Sequence, residues 1–367
     1  MDFSLEEEQS AIGELAAQVL GDFATHERLR SIEKGDGPRH DPEAWSAMAT
    51  TGILGATVPE EFGGAGLDLV ALGATLEEVG RTVAAVPLWE TLGLAVPAIA
   101  EFAPKALAEE LLAGVVDGSM ILTAAWHERG GEVLEPGTIA ERTDDGWAIT
   151  GTKVCVPAAL IAEGFLVPAS IVDGSVGLFY VRREDDGVAV EPLETTLGDP
   201  QGVLMLAEVS AQLVSEGRES LRWAYERAVA TQCAMFVGVC AEALRLTAQY
   251  SKDRKQFEVP IASFQAVAHR LADSFVDTEG VRLTARQALW RLSVGMEASK
   301  EVATAKFWAA QGGQRVVHAA AHVHGGVGVD RDYPLHRYFL AAKEIELQLG
   351  GSNHQLRDLG RLIAQTA

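Results

Sequence analysis

Basic residues are scarce in this 367-residue chain: 30 lysines and arginines stand against 52 aspartates and glutamates, a formal charge of −22. That deficit speaks against nucleic acid and anionic membrane as partners, because both demand a clustered basic surface. Cysteine is nearly absent. Cys155, Cys233 and Cys240 are an odd number without motif spacing, which points to reduced thiols in a cytoplasmic protein, with Cys233 and Cys240 placed in a core by the apolar run around them. No apolar run is read as long enough to span a membrane, and the start, Met1-Asp-Phe-Ser-Leu-Glu-Glu-Glu, is acidic where a signal peptide would be basic. Internal repeats and low-complexity tracts are missing too. His318, His322, His324 and His336 lack the carboxylate or cysteine company of a metal site, so no metal is expected.

What is present is an ordinary globular composition, 48% hydrophobic and 22% charged, long enough for two or three domains. The pattern divides the chain at 1–117, 118–213 and 214–367. The first segment reads as helical: Ser4 with Glu7 forms a capping box, and Asp41 caps a second helix that has Pro42 and Glu43 in its first turn and ends near Gly52. A glycine-rich turn, Pro59-Glu-Glu-Phe-Gly-Gly-Ala-Gly66, leads into a helix over Leu69 to Val79; its glycines admit either a ligand or another backbone. Between Met120 and Val214 short Val/Ile/Leu/Thr runs alternate with turn signals at Asp144-Asp145-Gly146 and Asp173-Gly174, a small all-β domain of barrel or sandwich type. After Ser215 the helical period returns, broken near Arg254, Gly295, Gly325-Gly326 and Gly350-Gly351, as in a four-helix bundle. The fold class is therefore a multidomain α+β protein.

Ser251-Lys-Asp-Arg254-Lys-Gln-Phe257 interrupts two amphipathic helices, with Pro260 expected at a helix start. Guanidinium and ammonium groups at helix ends suit an anionic diphosphate, and an adjacent aromatic can cover a flat ring. Arg331, His336, Arg337 and Lys343 offer further local positive charge in an acidic protein.

Three motifs then fall on one family. Pro59-Glu-Glu-Phe-Gly-Gly-Ala-Gly66 with Glu77-Glu78-Val-Gly, Arg254-Lys-Gln-Phe257 with Ile261 and Phe264-Gln265, and His324-Gly-Gly-Val-Gly328 with Tyr333-Pro334 resemble the acyl-CoA dehydrogenases in order and spacing over essentially the whole chain. The resemblance implies FAD chemistry: a base takes the α proton of an acyl-CoA thioester and the β hydrogen leaves as hydride to the flavin. Arg254, Phe257 and Gln265 then correspond to contacts to the FAD of a neighbouring subunit, and His322, Gly325 and Gly326 to the loop beside its adenosine diphosphate. An electron-transfer flavoprotein is the expected kind of electron acceptor.

The departures cluster where the chemistry happens. The family's C-terminal base falls on Leu349, and the base position that some members use on the first long bundle helix falls on Ala228; neither takes a proton. Glu226 is the nearest carboxylate, but two residues turn a helix by roughly 200°, and an acid in a helix's first turn has a plain structural role. In the β segment, Trp126-His127-Glu128-Arg129-Gly130-Gly131-Glu132 and Lys153-Val154-Cys155-Val156-Pro157 replace the Thr, Ser and Trp that surround flavin and thioester in the family. The chain in this respect resembles the non-catalytic partner of two-gene, heterotetrameric acyl-CoA dehydrogenases of actinobacterial steroid side-chain β-oxidation, which implies a homologous catalytic partner, an α2β2 assembly and a bulky acyl group. Two other readings stand beside it: a self-sufficient homotetramer with Glu226 as base, and a flavin-free structural paralogue.

Overall fold

The computed structural model describes residues 4–144 and 146–365. Helices precede a β region and helices follow it. The chain forms two compact units, one made of the segments up to His26, Leu69–Ala84 and Val229 onward, the other of Glu27–Asp68 and Ala85–Ala228.

In the first unit, α1 (Glu7–Phe23) packs against α4 (Leu69–Thr82). Its N-terminus differs from expectation. Glu6, not Ser4, is the N-cap, and Gln9 closes the box by accepting from the Glu6 amide at 2.9 Å. The long helices α7 (Arg218–Asp253, in this unit from Val229), α8 (Gln265–Ser293) and α9 (Ser299–His324), with α10 (Leu335–Leu347) and α11 (Ser352–Ala364), complete its helical architecture. Its core is built from side chains such as Phe236, Val239, Val281, Leu289, Ala309 and Val316. α7 is long and apolar enough to cross a membrane, which the sequence pattern did not suggest, yet 67% of its most apolar window is buried within the fold, as in the core helix of a globular protein. Arg282 of α8 pairs with Glu77, and Arg81 with Glu78, so the signature acids Glu77 and Glu78 act in helix packing.

The second unit holds α2 (Glu27 onward, His26–Glu33 in full), α3 (Pro42–Thr50), a π-helical stretch (Trp89–Ala95), α5 (Val96–Phe102), α6 (Lys105–Asp117), and the sheet. Asp41 caps α3 as expected, accepting from the amides of Glu43 and Ala44 at 3.1 Å. In the glycine-rich turn a Cβ on Gly64 would overlap the Val58 carbonyl, and Gly66 N–H reaches Val58 O at 2.9 Å; here another backbone, not a ligand, comes close.

The strands are β1 (Leu122–Ala124), β2 (Ile139–Thr143), β3 (Gly146–Val156), β4 (Gly164–Ile171), β5 (Val176–Arg182), β6 (Val188–Pro192) and β7 (Gly202–Glu216). Pairing runs β4–β2–β3–β7–β5 and returns from β5 to β4, closing a barrel, with β1 added to β4 and β6 to β7. β4 and β5 are buried almost throughout, matching their uninterrupted apolar sequences Phe165-Leu-Val and Leu178-Phe-Tyr-Val. β2 and β3 form the first expected hairpin, whose Asp145 lies outside the described residues; Asp173-Gly174 turns β4 into β5.

Candidate functional site

The Arg254 stretch is a hairpin between α7 and α8. Lys255–Gln256 (β8) pairs with Val259–Pro260 (β9), and the Ile261 amide donates to Arg254 O at 2.8 Å. Phe257 and Glu258 occupy the turn with φ of 51° and 67°, the left-handed pair of a type I′ turn made without glycine. Arg254 is exposed and has no ion pair among the described residues; Phe257 is 89% exposed, its ring edge-on to Phe264 at 6.3 Å. Pro260 does not start the long helix. A short 3-10 turn, Ile261–Ser263, intervenes, and α8 begins at Gln265, also exposed, because Phe264 keeps an extended backbone.

The glycine motif follows α9 at the same end of that unit. Gly325 has φ 61° and ψ −138°, a conformation that side chains resist, and a Cβ on either Gly325 or Gly326 would meet only open space. His322, one turn earlier, is exposed and lines a cleft of about 650 Å³ with Arg270, Asp273, Asp277, Arg315 and His318. Tyr250 stacks on His324 (4.3 Å, 25°), and His324 Nε2 lies 3.1 Å from the Tyr333 hydroxyl. An aromatic cluster thus joins hairpin and loop. Burial pushes the His324 pKa down, so its ring is held neutral. His324 and Tyr333 stand within the glycine motif and Tyr250 beside the Arg254 motif, but nothing local to them signals that they meet.

Of the other basic groups named from the sequence, Arg331 is exposed and the rest are drawn into the fold or paired. His336 and Arg337 are buried, Arg337 donating to His26 Nδ1 at 2.7 Å, and Lys343 pairs with Glu346 at 2.6 Å. Among the described residues no three His, Cys, Asp or Glu side chains are placed to hold a metal.

The two positions on which the resemblance places a base, Leu349 and Ala228, are closed. Leu349 is 3% exposed with φ 53°, its carbonyl accepting from Gln355 Nε2 at 3.1 Å. Ala228 is fully buried and its carbonyl accepts from the Trp89 indole at 3.2 Å. Glu226 is the ninth residue of α7, not a first-turn acid, and the helix runs unbroken past it, so it points away from the Ala228 face. Beside Leu349 lies a polar network: fully buried Lys306 donates to Gln232 Oε1 at 2.6 Å and to Ile345 O, and Gln232 donates to Gln348 at 2.8 Å. Desolvation lowers the Lys306 pKa to about 8.

The β segment is equally occupied. Trp126 is buried edge-on to Tyr225 at 5.6 Å. Buried Lys153 donates to Glu128 at 2.5 Å and to Pro168 O at 2.7 Å, while Glu128 also accepts from Gly137 N, Thr138 N and Thr138 Oγ1. Desolvation brings Lys153 to about 8 against the pull of Glu128. Cys155 sits exposed at a β-bulge with φ 50°.

Comparison with known proteins accounts for this frame. The N-terminal domain of acyl-CoA dehydrogenases matches residues 6–119 and their C-terminal domain residues 216–364. The chain is 40% identical to acyl-CoA dehydrogenase FadE27 of Mycobacterium tuberculosis, with all of both chains covered. It belongs to the acyl-CoA dehydrogenase family.

FadE28 of the same organism is 33% identical, with 98% of both chains covered. Among solved structures, a chain of the ChsE4-ChsE5 complex from Mycobacterium tuberculosis superimposes with a TM-score of 0.95 at 40% identity, covering all of both chains. A chain of a Tcur3481-Tcur3483 steroid ACAD variant does so at 0.93 and 44% identity, covering 98% of both. Members of the family are oxidoreductases acting on CH–CH bonds, and solved structures of the same fold include an FAD complex of PigA. In this acyl-CoA dehydrogenase chain the residues that fit such a cofactor are those of the open rim: a guanidinium without an ion pair among the described residues, an exposed aromatic, and a glycine pair with clear space beside it.

Proposed function

We propose that this chain is the half-site subunit of a heteromeric acyl-CoA dehydrogenase that desaturates a bulky or steroid side-chain acyl-CoA. One observation carries the reading: an exposed diphosphate-type rim coexists with two base positions that are apolar and buried. Arg254 supplies a charge-assisted donor, Phe257 a ring face, Gln265 an amide, and His322 with the Gly325-Gly326 main chain further polar contacts to the FAD of a partner chain. These residues would hold the FAD, which when bound would supply hydride acceptance; neither Leu349 nor Ala228 can take the proton, so the base would belong to the homologous partner. A cytoplasmic α2β2 assembly, an electron-transfer flavoprotein as acceptor, and domains at 1–117, 118–213 and 214–367 belong to the same reading. Support comes from the two similar solved structures, one described as a two-component complex and the other as a steroid ACAD.

The test is the FAD-to-polypeptide ratio of this chain alone and co-expressed with a dehydrogenase chain that keeps the base. Colourless protein alone and one FAD per two chains in the complex are expected. Stoichiometric FAD with substrate-dependent bleaching in this chain alone would sink the proposal. In the complex, Arg254→Ala is expected to weaken FAD by about tenfold or more, the scale of one charge-assisted hydrogen bond.

A further inference from the structure

The two halves of the rim come from helices far apart in sequence, and one cluster ties them together. Tyr250 lies in the last turn of α7, where its carbonyl accepts from the Arg254 amide at 2.8 Å. Its ring stacks on His324, the last residue of α9, at 4.3 Å, and its hydroxyl reaches the His324 carbonyl at 3.4 Å. His324 is 3% exposed. Its Nδ1 lies 2.8 Å from Ala320 O, a group that only accepts, so Nδ1 carries the proton and Nε2 accepts from the Tyr333 hydroxyl at 3.1 Å. Tyr333 closes the far side of the glycine loop: its amide donates to Asp330 O at 3.1 Å, and its ring meets Tyr250 edge-on at 6.4 Å. His324 enters the loop, Tyr333 leaves it, and Tyr250 carries the hairpin.

We infer that Tyr250, His324 and Tyr333 form a clamp of positioning residues that holds the Arg254–Phe257 hairpin and the Gly325-Gly326 loop at one fixed separation, so that both engage a single dinucleotide diphosphate. The inference rests on the half-site reading and adds residues that need not touch the cofactor. A fixed separation spares the complex the cost of ordering two independent segments on binding. Stacking supplies the rigidity, and the single neutral tautomer makes both ring nitrogens of His324 part of it.

The experiment uses the complex with the catalytic partner and reads FAD retention together with amide hydrogen exchange in segments 254–260 and 325–329. Tyr250→Leu removes the stack and should weaken FAD about tenfold while raising exchange in both segments, with the complex still assembled. Tyr250→Phe keeps the ring and should stay within about twofold of wild type, a rescue that tracks the stack. If Tyr250→Leu fails to fold, Tyr333→Phe takes its place: loss of the donor to Nε2 should raise exchange in 325–329 and lower FAD retention about threefold. Unchanged FAD retention in Tyr250→Leu, or faster exchange in that variant confined to one segment, overturns the clamp, as does unchanged FAD retention in Tyr333→Phe where that variant takes its place. Arg254→Ala separates the two ideas. Loss of FAD there with retention in Tyr250→Leu rejects the clamp alone, whereas retention in both rejects the half-site reading.

Discussion

Ala228 and Leu349, the positions on which the family resemblance places a base, are both closed off by what surrounds them. Ala228 has no exposed surface and its carbonyl takes the Trp89 N–H. A carboxylate placed there meets packed apolar groups instead of a substrate, so Ala228→Glu is expected to destabilise the chain by about 3 kcal/mol or more without creating activity. Thermal unfolding and dehydrogenation assays of the purified chain check both parts. Glu226→Gln is expected to leave turnover of the complex unchanged within about twofold, since the unbroken α7 turns it roughly 200° from Ala228. Lys306 carries a pH dependence that an exposed lysine lacks. Its folded pKa of about 8 lies below the ordinary 10.5, so between those values the unfolded chain binds more protons and stability from this group rises with pH. Lys306→Met removes that dependence, and its melting temperature relative to wild type is expected to fall as pH increases from 8 to about 10.

At the level of elements, the crossing of α4 and α7 depends on two missing side chains. A Cβ on Gly80 would overlap Met235 O, and one on Gly238 would overlap Glu77 O. Backbones touch at this crossing because neither glycine adds bulk, so Gly238→Ala is expected to lower stability by about 3 kcal/mol in denaturant titration. The hairpin between α7 and α8 carries the reverse situation. Its two turn residues hold left-handed backbone at Phe257 and Glu258, which L-residues adopt at a cost of roughly 1–2 kcal/mol each. The sequence showed a break at Arg254 but not this turn, because Lys-Gln-Phe-Glu-Val-Pro contains none of the glycine or asparagine that ordinarily announces it. Likewise Ser4 and Glu7 satisfied the capping pattern, while Glu6 and Gln9 supply the actual box further along the chain.

Across the whole molecule, charge and surface argue in the same direction as the site. A chain of net charge −22 meets an anionic dinucleotide only where local groups are arranged for it. Exposed apolar side chains accompany that arrangement on and beside α8, among them Phe257, Phe264, Phe275, Val276 and Leu283. Co-purification with a second dehydrogenase chain is therefore expected to raise the melting temperature in a concentration-dependent way, which differential scanning at two protein concentrations reads directly.

Periodicity and turn chemistry act over a few residues, so the sequence by itself determined the order of helices, strands and helices, the cap at Asp41 and the break at Arg254, and it put apolar Leu349 and Ala228 where the family resemblance expects a base. Burial is a property of neighbours distant along the chain. Only the tertiary structure placed His336 and Arg337 inside while leaving Arg254 outside, closed Glu128 onto Lys153, and set Tyr250 against His324, 74 residues away. Such contacts depend on how separate helices and strands pack, and no local pattern encodes which side chain will fill the space between them.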